Sequence, residues 1–411
     1  MLDTSMKTLS LTMLSLFASV AHGQQAAVPR ILGGTTTPAP SWMVAIGNDC
    51  DGQWRNYCGG TLIAKDWVLT AAHCLEEAKL DGMQVAIGVS DLSKPHSRIR
   101  VDQIIMHDTY LSGFTRNIGT GHMEADSDIA LLHLSTTSKN NTLPISAKEM
   151  PADYNNGSRF SAWGYGGINP DASLASPQLL RVELAFQGFR DRWMYDNTQT
   201  HIFAGNIAGQ DTCRGDSGGP LTDQSGLVGI TSYGSQRCGL GQPGGYTFAP
   251  LFRDWLAEKM NAVSLTSHQL VALPAGQHSW VNYTVLNGSA EAITLNGATT
   301  DAPAMRNECP SVLAAGEQCR IKLRFDANFT PDTYQLYRLR LNAIQPNGAS
   351  QRLDASLIAV TTPRRETDAA IAGGSSSGTE SHNASTTSSG GGGSIGLLGL
   401  LLLPLAWRRR A

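Results

Sequence analysis

Three polar residues, each in a short distinctive segment, could together carry out acyl transfer. Ser217 stands in Gly-Asp-Ser-Gly-Gly, His73 in Thr-Ala-Ala-His-Cys and Asp128 in Asp-Ser-Asp-Ile-Ala-Leu-Leu. A serine hydroxyl is a weak nucleophile, so it needs a base, an acid that orients the base, and donors for the oxyanion. The glycines around Ser217 predict a tight turn that exposes its hydroxyl and directs backbone N–H groups at one point. We therefore predict Ser217 as nucleophile, His73 as base and Asp128 as orienting acid.

The order of these residues along the chain distinguishes two families with a glycine-flanked serine. The α/β-hydrolases carry G-x-S-x-G but run Ser, Asp, His. The order His, Asp, Ser and the three flanking segments resemble the trypsin/chymotrypsin family of serine proteases. The resemblance covers about residues 31–262, and it implies that the N–H groups of Gly215 and Ser217 form the oxyanion hole.

Each motif alone is more often found around a residue with no catalytic role, such as a core histidine, a strand-edge acid or a loop serine. A catalytically silent protein that uses the protease fold for adhesion or binding is the alternative function. The complete set of motifs favours a secreted endopeptidase acting on proteins or peptides.

The resemblance also implies a specificity pocket. Asp211, six residues before Ser217, corresponds to the pocket-floor carboxylate of trypsin-like members, and Gly234 and Gly244 correspond to the small residues that keep the pocket open. A buried carboxylate selects a cationic side chain, because an unpaired buried charge is costly. Cleavage is therefore expected after Arg or Lys.

An activation sequence precedes the protease region. Residues 24–30 are expected to be a pro-segment, and Arg30 and Ile31 begin the run Arg-Ile-Leu-Gly-Gly. In trypsin-like zymogens, cutting before such a sequence frees an α-amino group. The resemblance implies that the ammonium of Ile31 then pairs with Asp216, although Leu32 replaces the usual valine.

Composition limits the other partners. The chain has 411 residues, enough for two or three domains. Its net charge of −3 and the lack of a basic stripe in the region expected to fold disfavour nucleic acid as a partner. The loop 91–98 is shorter and less acidic than the loop that binds calcium in some members of the family, and calcium needs six or more oxygen ligands. No His/Cys cluster indicates zinc. We expect no metal and no cofactor.

Secretion and cysteine pairing are linked. Residues 1–23 read as a signal peptide, which places the chain outside the cytoplasm and permits disulfides. The seven cysteines leave at least one unpaired within the chain. The resemblance implies the pairs Cys58–Cys74 and Cys213–Cys238, and the two cysteines of the C-terminal region, Cys309 and Cys319, pair most simply with each other. Cys50 is left as a free thiol, an intermolecular bridge or a misassigned partner.

The pattern of short alternating strands predicts an all-β protein. The resemblance implies a double six-stranded antiparallel β-barrel over residues 31–262, with a helix near residues 250–260 closing it. Residues 263–362 alternate again and predict a small Ig-like β-sandwich with no catalytic motif.

The C-terminus is expected to be a linker and a sorting tail. Residues 363–394 are rich in Gly, Ser and Thr, and residues 395–411 contain an apolar run followed by arginines. The run is short for a membrane-spanning helix, so an unstructured apolar tail is one interpretation. The pattern resembles Gly-Gly sorting signals of Gram-negative bacteria. It implies processing by a sorting protease, membrane contact only through this tail, and release or display at the cell surface.

Overall fold

The structure is a computed structural model, and it describes residues 31–50, 52–76, 80–110, 127–149, 151–190, 200–235, 237–330 and 334–362. The expected signal peptide, the pro-segment with Arg30, the linker and the sorting tail lie outside these residues. So does the side chain of Cys50. Within the described ranges, no helix has the length and hydrophobicity needed to cross a membrane.

A closed antiparallel barrel forms the first half of residues 31–262. The strands here are β1 (Thr35–Thr36), β2 (Met43–Cys50), β3 (Gln53–Ala64), β4 (Trp67–Thr70), β5 (Met83–Ile87), β6 (Ile99–Met106) and β7 (Ala130–Leu134). The barrel closes in the order β2-β3-β4-β7-β6-β5. Its interior is apolar, and β4 is buried along its whole length, so neither face of that strand is left to solvent. A 3₁₀ turn, Ala72–Leu75, follows β4 and carries His73.

A second six-stranded barrel follows. Its strands are β8 (Arg159–Gly164), β9 (Leu180–Arg190), β10 (His201–Ala204), β11 (Pro220–Asp223), β12 (Gly226–Tyr233) and β13 (Gly244–Phe248). Pairing of β8 with β9 closes the ring, and β1 adds to the outer edge of β9. The N-terminal strand is thus bound to the second barrel. The prediction of two six-stranded barrels is confirmed.

A helical segment leads out of the second barrel. The 3₁₀ turn Ala249–Phe252 continues into α1 (Arg253–Asn261), and a further 3₁₀ turn, Pro151–Asp153, precedes β8. Phe252 and Leu256 are buried in the core of the first barrel. The helix near residues 250–260 therefore packs back onto that barrel.

A two-sheet β-sandwich occupies the C-terminal part. Its strands are β14 (Val263–Leu265), β15 (His268–Pro274), β16 (His278–Asn287), β17 (Ile293–Thr300), β18 (Ala304–Asn307), β19 (Val312–Leu313), β20 (Gln318–Asp326), β21 (Tyr334–Ile344) and β22 (Ser350–Thr362). One sheet runs β14-β16-β20-β18 and the other β15-β22-β21-β17-β19. All the pairings are antiparallel except β15 with β22, which is parallel. Buried Tyr283, Ile321 and Phe325 belong to the core between the sheets.

The sandwich packs directly against β6 of the first barrel. The side chain of Gln103 is fully buried there; its Nε2 donates to the carbonyl of Thr284 (3.2 Å) and its Oε1 accepts from the hydroxyl of Ser264 (3.1 Å). The N–H of Met106 donates to Ser267 Oγ at 2.9 Å. Because buried polar groups must be paired, these bonds fix the sandwich in one position on the barrel.

Candidate active site

His73 and Asp128 meet between the two barrels. The 3₁₀ turn after β4 presents His73, and Asp128 lies two residues before β7, which pairs with β4. The imidazole Nδ1 lies 2.7 Å from Asp128 Oδ2, and the backbone N–H of His73 donates to Oδ1 at 2.9 Å. Both carboxylate oxygens thus hold the histidine, which fixes the orientation of its ring.

Asp128 is buried and held by further donors. Ser232 Oγ donates to the same oxygen, Oδ2, that contacts the imidazole, and Thr247 Oγ1 donates to the backbone carbonyl of Asp128 at 2.9 Å. Burial by itself would raise the pKa of Asp128, but the charge and hydrogen bonds of His73 and the hydroxyl of Ser232 outweigh it and lower the pKa. The carboxylate is therefore ionised throughout the physiological range.

The segment around Ser217 is a compact turn. The N–H of Asp216 donates to the carbonyl of Cys213 (3.0 Å), and the N–H of Gly219 donates to the carbonyl of Asp216 (2.9 Å). Gly215 and Gly218 have φ of 94° and 75°, values that residues with a Cβ rarely adopt. The tight turn predicted from the glycines is therefore present.

This turn packs tightly against the segment that leads to His73. A Cβ on Gly218 would lie 2.1 Å from Thr70 Oγ1, 2.5 Å from the carbonyl oxygen of Gly59 and 3.2 Å from the nitrogen of Ala71. The carbonyl of Ser217 accepts from the N–H of Gly59 at 2.7 Å. The backbone of the serine turn therefore lies directly on the first barrel, within two residues of His73.

The backbone N–H groups of Gly215 and Ser217 have no acceptor among the residues that the structure describes. A backbone N–H ordinarily has a partner in a folded protein. Two unused donors on one turn can bind the oxygen of a ligand.

Asp211, the expected floor of the specificity pocket, lies on the segment that leads into the serine turn. It is buried, and its Oδ2 accepts the N–H of Gly239 at 2.9 Å. Burial raises the pKa of Asp211. The backbone hydrogen bonds from Gly239 and Thr212 act in the opposite direction but are outweighed. Burial destabilises the ionised form of this carboxylate, so a cation that binds beside it would stabilise the charge strongly.

Gly234 and Gly244 are the small residues that are expected to line this pocket. A Cβ on Gly244 would lie 3.3–3.6 Å from the ring and hydroxyl of Tyr246, and one on Gly234 would meet nothing within 4 Å. The Tyr246 hydroxyl forms a hydrogen bond with Thr212 Oγ1 at 3.0 Å, and Thr212 directly follows Asp211 in the chain. The space at Gly234 is therefore open to a ligand, and the wall at Gly244 is aromatic.

Asp216 is a fully buried carboxylate. Its oxygens accept the N–H groups of Gly166 and Cys213, both at 2.8 Å. A Cβ on Gly164 would lie 2.0 Å from Oδ1, so only glycine fits at that position. Burial raises the pKa of Asp216 to about 7, because these two bonds do not offset desolvation and the charge of Asp211 adds to it. No cation pairs with it in the described part of the chain.

Ile31 is also fully buried, in the core of the second barrel. The carbonyl of the next residue, Leu32, accepts the N–H of Asp211 at 3.0 Å. The segment that begins at Ile31 is thus docked beside the loop that carries Asp211 and Asp216. Arg30, the other residue of the expected cleavage site, lies outside the described residues.

The described part of the chain contains three disulfides, between the cysteines that the sequence analysis paired: Cys58–Cys74, Cys213–Cys238 and Cys309–Cys319. The first braces the turn of His73 and the second joins the serine segment to the loop of Gly239. His73, Cys58 and Cys74 lie close enough together to resemble a metal site. Both sulfurs are oxidised to the disulfide, so no thiolate is available there.

Two residues that contact Asp128 were missed from the sequence. Ser232 and Thr247 lie 104 and 119 residues from it. Ser232 directly precedes Tyr233 and Gly234. The segment that predicted Gly234 as a pocket residue was therefore the one sequence feature that pointed to Ser232. Nothing in the sequence around Thr247 indicates its bond.

Comparisons with known proteins agree with this geometry. The family model described as Trypsin matches residues 31–256. CLIP domain-containing serine protease HP8 of Bombyx mori is 33% identical over 274 residues, covering 56% of this chain and 69% of that protein. Trypsin 5G1 of Aedes aegypti is 29% identical over 244 residues, covering 56% of this chain and 84% of that protein.

A solved structure extends the similarity of fold. The VesB protease of Vibrio cholerae matches with a TM-score of 0.57 at 23% identity, over 81% of this chain and 100% of that chain. The match covers more residues than the two barrels contain, so it includes part of the C-terminal sandwich. The family model, which spans more than half of the sequence, shows that the chain belongs to the trypsin family of serine proteases.

Proposed function

We propose that this protein is a secreted serine endopeptidase that cleaves peptide bonds after Arg or Lys. The observation that carries the proposal is the His73–Asp128 pair, 2.7 Å between Nδ1 and Oδ2, together with the packing of the Ser217 turn on Thr70 and Ala71, which lead to His73. An imidazole held in this way by a buried carboxylate can accept and return a proton at a neighbouring hydroxyl.

In the proposed mechanism, Ser217 Oγ attacks the carbonyl carbon of the scissile bond while Nε2 of His73 takes the hydroxyl proton. Asp128 stabilises the imidazolium, and the N–H groups of Gly215 and Ser217 hold the oxyanion. His73 then gives the proton to the leaving amine as the C–N bond breaks. A water molecule then attacks the acyl-enzyme while His73 takes one of its protons; His73 gives this proton to Ser217 Oγ as the acyl C–O bond breaks, so the acid is released and the serine hydroxyl is restored.

Substrate selection is assigned to Asp211. The pocket holds a buried carboxylate with a raised pKa, and Gly234 leaves room for a side chain. A guanidinium or ammonium that reaches Asp211 replaces an uncompensated buried charge with an ion pair, which is a large gain where water is excluded.

Activation is assigned to cleavage between Arg30 and Ile31. Asp216 is a buried carboxylate with no counter-charge among the described residues, and a free α-amino group at Ile31 would supply one. Ile31 also has φ of 44°, an unfavourable value for a β-branched residue. Cutting the bond before Ile31 removes the constraint on that angle.

The remaining assignments concern organisation and location. We assign residues 1–23 to a signal peptide, 24–30 to a pro-segment, 31–262 to the protease domain, 263–362 to an Ig-like domain, 363–394 to a linker and 395–411 to a tail for sorting at the cell surface of a Gram-negative bacterium. The three disulfides are typical of an oxidising compartment outside the cytoplasm.

Cleavage of a peptide library by the activated protein tests the specificity. We expect cuts after Arg and Lys, and we expect Asp211→Ser to lose this preference while still reacting with a small acylating agent. Asp91→Ser, which removes a half-buried loop carboxylate paired with Lys94, is the control and should keep the preference. If Asp211→Ser lost both reactions equally, Asp211 would be a structural residue.

A further inference from the structure

Basic side chains cover the outer surface of two neighbouring strands of the C-terminal sandwich. β20 carries Arg320, Lys322 and Arg324, and the edge strand β18 carries Arg306. The residues between the three cations of β20 are buried in the sandwich core, so the cations point outward. In the sequence they alternate with apolar residues, and only the pleat of the strand brings them onto one surface. We call these four residues the basic face.

The strand register places like charges side by side on this face. Arg306 lies opposite Lys322 in the antiparallel pair of β18 and β20. Arg320 and Arg324 flank Lys322 two residues away, on the same side of the strand. Like charges directly opposite each other destabilise a sheet. A cluster that lowers stability without an evident structural gain is typical of a functional surface.

An aromatic ring holds Arg306 in place. Its guanidinium lies over the ring of Trp280, 4.3 Å from the centroid. Trp280 belongs to β16, and β16 and β18 lie on opposite sides of β20 in the sheet. The side chain of Arg306 therefore reaches across β20. Because a cation is attracted to the face of an aromatic ring, this guanidinium is positioned before any ligand binds.

Two acids neutralise half of the basic face. Glu308 pairs with Lys322 at 2.7 Å, and Asp326 pairs with Arg324 at 2.8 Å. The other two cations, both arginines, are exposed and form no ion pair with any carboxylate that the structure describes. The basic face thus keeps two positive charges that are available to an acidic ligand.

The shape of the face fits a chain of negative charges. Along β20 the three cations recur at every second residue, about 6.6 Å apart, and together they span about 13 Å. Arg306 widens this row toward β16. A linear polymer with repeated negative charges can contact several of these cations at once, and linked contacts raise the overall affinity.

Other polyanions fit this surface less well. Among the described residues of the sandwich, the exposed large apolar side chains are Val312 and Tyr334, and both belong to the other sheet; they are not placed to insert into a bilayer from the basic face. Single-stranded nucleic acid stacks its bases on open aromatic rings, whereas the ring of Trp280 is covered by Arg306. The disulfides are typical of a compartment outside the cytoplasm, where acidic polysaccharides are common polyanions.

We propose that the basic face binds a linear acidic polysaccharide, with Arg306 and Arg320 making the ion pairs. Binding would retain the protein at a surface that carries such a polymer. This role belongs to the sandwich and is independent of the proposed peptidase activity.

Binding of the full chain to immobilised dextran sulfate, with neutral dextran as the matched polymer, tests the proposal. A Ser217→Ala background prevents self-digestion during the measurement. We expect binding to dextran sulfate alone, with a Kd that rises about tenfold between about 0.05 M and 0.3 M salt because screening weakens exposed ion pairs. Equal binding to the two polymers would overturn the proposal.

Variants assign the binding to this face. Arg306→Gln combined with Arg320→Gln should raise the Kd about tenfold, as expected for the loss of two partly exposed ion pairs. Arg338→Gln combined with Arg340→Gln is the matched control, because both arginines are exposed on β21 of the other sheet and the change in net charge is the same. The control should keep its affinity, and thermal unfolding checks that both double variants are folded. Arg320→Gln alone should raise the Kd about threefold.

Two results from the variants would overturn the proposal: full affinity in the variant without Arg306 and Arg320, or an equal loss in the control. Phosphatidylglycerol vesicles and a thymidine oligonucleotide test the other classes of polyanion. Tighter binding to either than to dextran sulfate would overturn the polysaccharide in favour of a membrane or a nucleic acid.

Discussion

Replacing Asp216 with asparagine should remove the loss of stability that the uncut chain undergoes between pH 4 and pH 8, at the cost of one hydrogen bond at every pH. Asp216 is fully buried, and without a cation beside it burial raises its pKa to about 7 from an ordinary value of 3.8. The folded protein therefore holds this proton more tightly than the unfolded chain. Stability is full below about pH 4 and is lost as the pH rises toward 7, where the charge must form inside the protein.

The size of this loss follows from the two pKa values. They differ by about three units, and one unit corresponds to about 1.4 kcal/mol, so the wild type should lose on the order of 4 kcal/mol between pH 4 and pH 8. Asparagine resembles the protonated acid in shape and stays neutral, although its NH₂ group cannot accept one of the two N–H groups that the carboxyl oxygens accept, a cost that is the same at every pH. The variant should thus gain about 4 kcal/mol over the wild type across this range.

Urea unfolding at several pH values measures the effect. Ser217→Ala and Arg30→Gln in both proteins keep the chain intact during the experiment. Asp223→Asn is a control with the opposite sign, because Asp223 has Lys148 at 2.9 Å. Burial would raise the pKa of Asp223, but Ser225 and Lys148 outweigh it and lower the pKa, so this variant should lose stability above about pH 4. Parallel curves for wild type and Asp216→Asn would refute the reasoning.

Three further predictions concern catalysis, domain packing and activation. Ser232→Ala removes a hydrogen bond to the charged Asp128 and should lower kcat/KM at least about tenfold; an unchanged rate would contradict the role of that bond. Gln103→Ala leaves buried polar groups unpaired between barrel and sandwich, so it should lower the free energy of unfolding by about 1–3 kcal/mol, and thermal unfolding at an unchanged temperature would contradict this. In the cut enzyme, pairing with Asp216 raises the pKa of the Ile31 amine above its ordinary ~7.7–8.0. The pair is complete below that value and is lost as the pH rises through the raised pKa, so kcat/KM should fall at strongly alkaline pH, whereas a flat profile would exclude the pair.

The residues of the candidate site could be predicted because their signals are local. His73, Asp128 and Ser217 each stand in a short motif, and the glycines around Ser217 predict the turn whose φ values the structure shows. Two barrels likewise follow from the motif order and the alternating strands. The motifs depend on residues that are neighbours in the sequence, and the two barrels depend on a family resemblance that covers residues 31–262.

Contacts between distant strands could not be predicted in the same way. The bond from Ser232 to Asp128 spans 104 residues and depends on how β12 meets the first barrel. Gln103 looks like an ordinary polar residue in a strand, yet its partners lie 161 and 181 residues away in the sandwich. Such contacts are set by the packing of whole domains, which no local pattern records.

The central claim is that Ser217 is an activated nucleophile, and a labelled fluorophosphonate tests it most directly. We predict one covalent adduct per cut chain, located on Ser217 by peptide mapping, with peptidase activity lost in proportion to labelling and a fall of about 10⁶ in kcat for Ser217→Ala. Absence of labelling in the cut protein, or an adduct on another serine while Ser217→Ala keeps its activity, would contradict the account.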